Sequence, residues 1–147
     1  MNLRDMLKKH EGYSSSPYKC PAGKMTIGWG HNIEANIVPR DIEIYLGTYK
    51  MITPDMAERL LDIDIKLANA ACRRIFINFD TFTDARQTAL LDFVFNVGEG
   101  TVRKFKKTIA AIKSGDWNKA ANEMQDSAWF VQVKGRAFEI CQMIKEG

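Results

Sequence analysis

Glu11, Cys20, Thr26 and His31 fall within one short stretch, HEGYSSSPYKCPAGKMTIGWGH, residues 10 to 31. These residue types do chemistry. Glycoside cleavage needs a carboxylic acid to protonate the leaving oxygen, and an opposing group to act as base or nucleophile. Glu11 suits the first role, because apolar neighbours raise a carboxyl pKa toward the working pH. Cys20 suits the second as a thiolate. An unperturbed thiol, with a pKa near about 8.5, is only a few per cent ionised at neutral pH. Lys19 and His31 are the neighbours expected to raise that fraction. Thr26 offers a hydroxyl to position a water. A second chemistry uses the same stretch, with Cys20 as nucleophile and His31 as base of a wall amidase or peptidase. Against it, Cys20 sits on a hairpin and not at a helix N-terminus.

The elements that must hold these groups follow from local pattern. NLRDMLKKHEG has Leu3, Met6 and Leu7 at helical spacing, Asn2 as cap and Gly12 as stop. Glu11 then lies in the last turn, where the macrodipole disfavours a negative charge by up to about 1 kcal/mol. CPAG reads as a type I turn. KMTIGWGH alternates, with Met25, Ile27 and Trp29 on one side and Lys24, Thr26, Gly28 and Gly30 on the other. The expected element is a small hairpin with Thr26 on an open, glycine-lined face, where a ligand can approach the backbone.

The remainder reads as helical. Thr53 and Pro54 open a long helix through TPDMAERLLDIDIKLANAACRRI. FTDARQTALLDFVFNVGEG follows, capped by Thr83 or Asp84. It is nearly all apolar from Ala89 to Val97, as a buried central helix would be. TVRKFKKTIAAIKSGD, WNKAANEMQD and KGRAFEICQMIKE read as shorter helices. The 147 residues, 46% hydrophobic, suffice for one domain with a real core. Cys20, Cys72 and Cys141 show neither zinc nor disulfide spacing, and the two in helical segments are expected to be buried. No run is long and apolar enough for a membrane span, and the charged N-terminus is not a secretory signal. Basic residues exceed acidic ones by 21 − 18 = 3, a mild attraction to polyanions that selects no partner. The run VRKFKKTIAAIK, with Arg103, Lys104, Lys106, Lys107 and Lys113, admits a third reading as a polyanion-binding module.

The order of motifs resembles the phage-type lysozymes (endolysins) of the T-even bacteriophage kind. The carriers are Glu11-Gly12, the spacing to Cys20 and Thr26, TIGWGH, ITPDMAERLLDIDI, ALLDFVFNVGEG, FKKTIAAIKSGDWNKAAN, SAWF and GRA, together nearly the whole chain. The resemblance implies an α+β lysozyme-like fold in a single domain. Its small β-hairpin lobe would span about residues 13–53. A mainly helical lobe would take 54–147 together with the N-terminal helix 1–12, the long helix joining the two.

The resemblance also implies roles. Glu11 matches the general acid and Thr26 the water-positioning threonine. Cys20 stands where the family usually has an aspartate, so it is either base, nucleophile or inert. His31 pairs with an aspartate on the long helix, Asp64, and Arg136 with the catalytic glutamate. Asn32, Phe95 and Thr108 match substrate contacts. The implied activity is hydrolysis of the β-1,4 bond between N-acetylmuramic acid and N-acetylglucosamine in peptidoglycan, lysing a phage or prophage host. No metal or cofactor is implied, nor nucleic acid or stable membrane insertion. The expected state is a monomer that accumulates in the host cytoplasm and needs a holin-type pore to reach the wall from the periplasmic side.

Overall fold

The computed structural model describes residues 2–147. The fold is α+β, with one small antiparallel sheet in an otherwise mainly helical chain. The chain forms two compact units, one running to Leu67 and one from Ala68 to Gly147.

The first unit opens with α1 (Leu3–Glu11), which starts where the Asn2 side chain accepts a hydrogen bond from the Asp5 amide at 2.9 Å. It stops at Gly12, whose φ of 68° a side chain would resist. Strands β1 (Ser14–Lys19), β2 (Met25–Gly28) and β3 (His31–Asn32) form a meander. Tyr18 pairs with Thr26, and Thr26 with Asn32, so those three lie side by side across the sheet. The register slips between Ser14 and Tyr18, which places a bulge in β1.

Helix α2 (Arg40–Tyr49) was not expected from sequence. DIEIY alternates its isoleucines in a strand-like way, and no side chain caps the helix N-terminus. Tertiary packing decides instead. Ile42 is fully buried with Ile27, Ile52, Ala57 and Leu60, and Leu46 packs against that cluster. Helix α3 (Pro54–Ile75) begins where Thr53 Oγ1 accepts from the Met56 amide at 3.2 Å. Its Glu58 pairs with both Arg4 and Lys8 of α1, and its Asp62 with Arg4. These contacts tie α1 to α3.

The second unit holds a 3-10 turn at Phe79–Thr81, then α4 (Asp84–Val97), α5 (Glu99–Val102), α6 (Lys106–Lys113), α7 (Trp117–Gln125), α8 (Ala128–Val133) and α9 (Gly135–Glu146). Thr83 is the cap of α4, accepting from the Arg86 amide at 3.2 Å. Gly98, at φ 83°, ends it. The segment read as one helix from Thr101 is divided: α5 ends at Val102 and α6 begins at Lys106. Packing is mainly of α7 on α6 and α9, and of α9 on α4. Small residues allow the close approach: Ala120, Ala121, Ala137 and Ala89 are fully buried. Phe93 sits edge-to-face with Phe105 and Trp129, at 5.1 and 4.7 Å between ring centroids. Cys72 and Cys141 are buried and free, as their helical setting implied. No helix is long and apolar enough to cross a membrane among the described residues.

Candidate active site

Glu11 is the last residue of α1, and its carboxylate lies against Gly30 in the β2–β3 turn. A methyl at position 30 would fall 2.4 Å from Glu11 Oε2 and 2.7 Å from its Cδ. Gly30 also has φ of +73°, so space and backbone both demand glycine there. Gly28 differs: a Cβ on it would make only ordinary contact with Ala57 of α3, at 3.4 Å, and its φ of +65° is what favours glycine. The expectation of an open, glycine-lined face is therefore corrected. Gly30 makes room for Glu11 and Gly28 packs beside α3, and Thr26 between them and Lys24 is only 4% exposed.

Cys20 follows β1 and opens the turn to β2. Its amide donates to the Lys24 carbonyl at 2.9 Å, and its carbonyl accepts from the Gly23 amide at 2.8 Å. Pro21 stiffens this turn and Gly23 supplies φ of +80°. The turn directs N–H groups at the sulfur. The Lys24 amide pulls the thiol pKa below its ordinary value. Slight burial opposes this, and the Ala22 amide and Thr26 hydroxyl add to the lowering. Lys19 and His31, expected to favour the thiolate, are not among the groups that do so. Thr26 Oγ1 donates to the Lys24 carbonyl at 2.9 Å. It has one proton to give, which can go to that carbonyl or to the sulfur but not to both at once.

Tyr18 is close enough to both Glu11 and Cys20 to feel their charge. Burial raises its phenol pKa, and the negative charges of Glu11 and Cys20 raise it further. A lone tyrosine in SSPYK carries no sequence signal of this. Only the strand register, which sets it opposite Thr26, brings it to the chemistry.

His31 is engaged with the long helix α3. Its Nδ1 lies 2.8 Å from Asp64 Oδ2, with the side chains 1% and 6% exposed. Asn36 adds a long contact to the other Asp64 oxygen at 3.5 Å. Asn32 uses its side-chain carbonyl locally, accepting from the amides of Glu34 and Ala35 at 2.9 and 3.1 Å.

A family model described as Phage lysozyme matches residues 8–141. The chain belongs to the phage lysozyme family. "Probable T4-type lysozyme 1" of Dictyostelium discoideum is 30% identical to it, over 99% of this chain and 95% of that protein. An "Endolysin" of Acyrthosiphon pisum secondary endosymbiont phage 1 is 28% identical over 95% of this chain and 86% of that protein. "Peptidoglycan hydrolase gp36" of Pseudomonas phage phiKMV is 29% identical over 92% of this chain, which spans 14% of that longer protein.

The candidate residues of the second unit are arranged as follows. Phe95 is half-buried on α4, and Thr108 is buried on α6. Arg136, at the start of α9, donates from Nε to Asp92 Oδ1 of α4 at 2.7 Å. Asp92 is fully buried. Its place in the apolar run ALLDFVF was a sequence signal, since an acid there requires a partner. Asn96, next to Phe95, accepts from the Trp129 indole N–H at 2.8 Å. Among the described residues no cluster of three or more His, Cys, Asp or Glu side chains is arranged to hold a metal ion.

Proposed function

We propose that this chain, a lysozyme-type peptidoglycan hydrolase, cleaves the bond between N-acetylmuramic acid and N-acetylglucosamine with Glu11 as general acid and the Cys20 thiolate as general base. Glu11 gives its proton to the leaving oxygen. A water beside Thr26 loses a proton to the Cys20 sulfur and attacks the anomeric carbon from the opposite face, giving the inverted product. The thiol and the Glu11 carboxylate then re-equilibrate with solvent, so no proton is gained or lost. The observation that carries this reading is the amide-rich turn at residues 20–24, whose backbone N–H groups lower the thiol pKa. A carboxylate at that position would ionise unaided, whereas a thiol needs such a turn.

The amidase reading is less well supported. His31 is held by Asp64 and is not among the groups acting on Cys20. The roles implied for Asn32, Phe95, Thr108 and Arg136, the monomeric state, host lysis and passage through a holin-type pore belong to the same proposal.

Glu11→Gln tests it. It abolishes release of reducing ends from purified murein if the chain is this muramidase. Murein solubilisation that persists in Glu11→Gln and is lost in Cys20→Ala would establish the amidase instead. Proton NMR of the first product formed reads the anomer, and retention would replace the base with a covalent sulfur nucleophile.

A further inference from the structure

The second unit contains a hollow of about 310 Å³ lined by Thr81, Phe82, Arg86, Lys113, Ser114 and Trp117, with Asn78, Thr83, Ile112 and Gly115 completing it. Ligand pockets run from about 300 to 1,000 Å³, so this one suits a single ring with one substituent.

Its lining is chemically uneven. Two cations and two aromatic rings face it, and no carboxylate does. The Arg86 guanidinium lies 4.3 Å over the Trp117 ring, and Phe82 meets Trp117 edge-on at 4.9 Å. Arg86 is held in place by donating from Nε to the Ile144 carbonyl at 2.9 Å and from Nη2 to the Lys145 carbonyl at 3.1 Å. Those bonds use two of its five N–H groups, and the guanidinium stays charged. Lys113 has no ion-pair partner among the described residues. The acids adjoining the rim are Asp80, Asp84 and Asp116. Asp80 pairs with Arg73 at 2.7 Å, and Asp116 accepts from the Lys119 amide at 3.1 Å. Asp84 lies in the first turn of α4, whose dipole favours it there.

We propose that this hollow is a second, non-catalytic binding site for an acidic saccharide, and that in use it takes a carboxylate-bearing unit of the wall polymer. The sugar ring packs against the Trp117 edge with hydroxyls of Thr81 and Ser114 beside it. The carboxylate lies between Arg86 and Lys113, where a pre-positioned guanidinium loses little freedom on binding. The identity of the polymer rests on the peptidoglycan reading above, whereas the preference for an acidic saccharide rests on the lining alone. Such a site holds the enzyme near an insoluble substrate between cleavages by raising its effective concentration there.

The test uses the full chain with Glu11→Gln, so that ligand is not consumed. The indole N–H signal of Trp117 is followed by NMR during titration with N-acetylmuramic acid, whose lactyl carboxylate is free, and separately with neutral N-acetylglucosamine. The proposal expects a saturable shift with the acidic ligand and a much weaker one with the neutral ligand. Lys113→Glu, a change on the surface, should weaken the acidic ligand roughly fivefold, as a partly exposed ion pair would. In the otherwise wild-type chain it should reduce retention on sacculi while kcat/KM on soluble oligosaccharide stays within about twofold. Equal shifts with both ligands would refute the charge preference. No shift at Trp117, or unchanged affinity and retention in Lys113→Glu, would refute the site. Failure of the wild type to cleave murein would instead refute the proposed function, and the titration would still report on the hollow.

Discussion

The turn at residues 20–24 and the helical interior of the second unit hold the same functional group in opposite states. At Cys20, backbone amides converge on a partly exposed sulfur and pull its pKa down. At Cys72 and Cys141, burial pushes the thiols up to about 12. The difference lies in what surrounds the sulfur. Turn backbone has N–H groups to spare, whereas a helix spends its own on the preceding turn. The interior can still hold charge, but only as a pair, as Asp92 and Arg136 do.

The largest test of this contrast replaces the sulfur. Cys20→Ser keeps the shape but cannot ionise near neutral pH, and murein hydrolysis should fall roughly 10²- to 10⁴-fold, the usual worth of a general base. Cys20→Asp should keep substantial activity. Parental rates in Cys20→Ser would remove the thiol from the chemistry.

Alkylation compares the three thiols directly. Iodoacetamide in native buffer should label Cys20 at least about a hundredfold faster than Cys72 or Cys141, because thiolate fraction and exposure both favour it. Peptide mass spectrometry reads the ratio. Labelling of Cys20 should rise with pH through a midpoint below that of an ordinary thiol, since a lowered pKa means ionisation is reached earlier. A midpoint at or above the ordinary value would mean that the amides do not act as described.

Inside the second unit, Asp92→Asn takes the charge out of the buried Asp92–Arg136 hydrogen bond. It should cost about 2 kcal/mol, visible as a lower urea midpoint with little change in slope. The smallest effect concerns how each region makes a sharp bend. The 20–24 turn uses Gly23 at φ +80°, whereas the α8–α9 junction holds Lys134 at φ 59° and ψ −115°. Lys134→Gly should relieve that strain and stabilise the protein by about 0.5–1 kcal/mol in thermal unfolding, net of glycine's greater freedom when unfolded. No gain would show that surrounding contacts already compensate the strain.

The legible parts of the fold were those with local chemical markers. Thr53 with Pro54, Thr83, and Gly12 each announced a helix end, and each lies at one. Glu11, Cys20 and Thr26 stood out because their types are reactive. Helix α2 was hidden, since its isoleucine spacing imitates a strand and its helicity depends on burying Ile42 with Ile27 and Leu60. Tyr18 was hidden because strand register, which no single segment encodes, puts it beside Thr26. The glycines of TIGWGH were visible but misread. Gly30 leaves its space to Glu11 and Gly28 faces Ala57, both distant in sequence.

That last contact sets a tolerance on the proposed acid. With a hydrogen at position 30, the Glu11 carboxylate has clearance; with a methyl it has none, and the nearest relief is to swing the acid out of line. Position 30 is thus a spacer measured in single atoms. A protein changed only there would be a catalyst out of adjustment, with every reactive group still present.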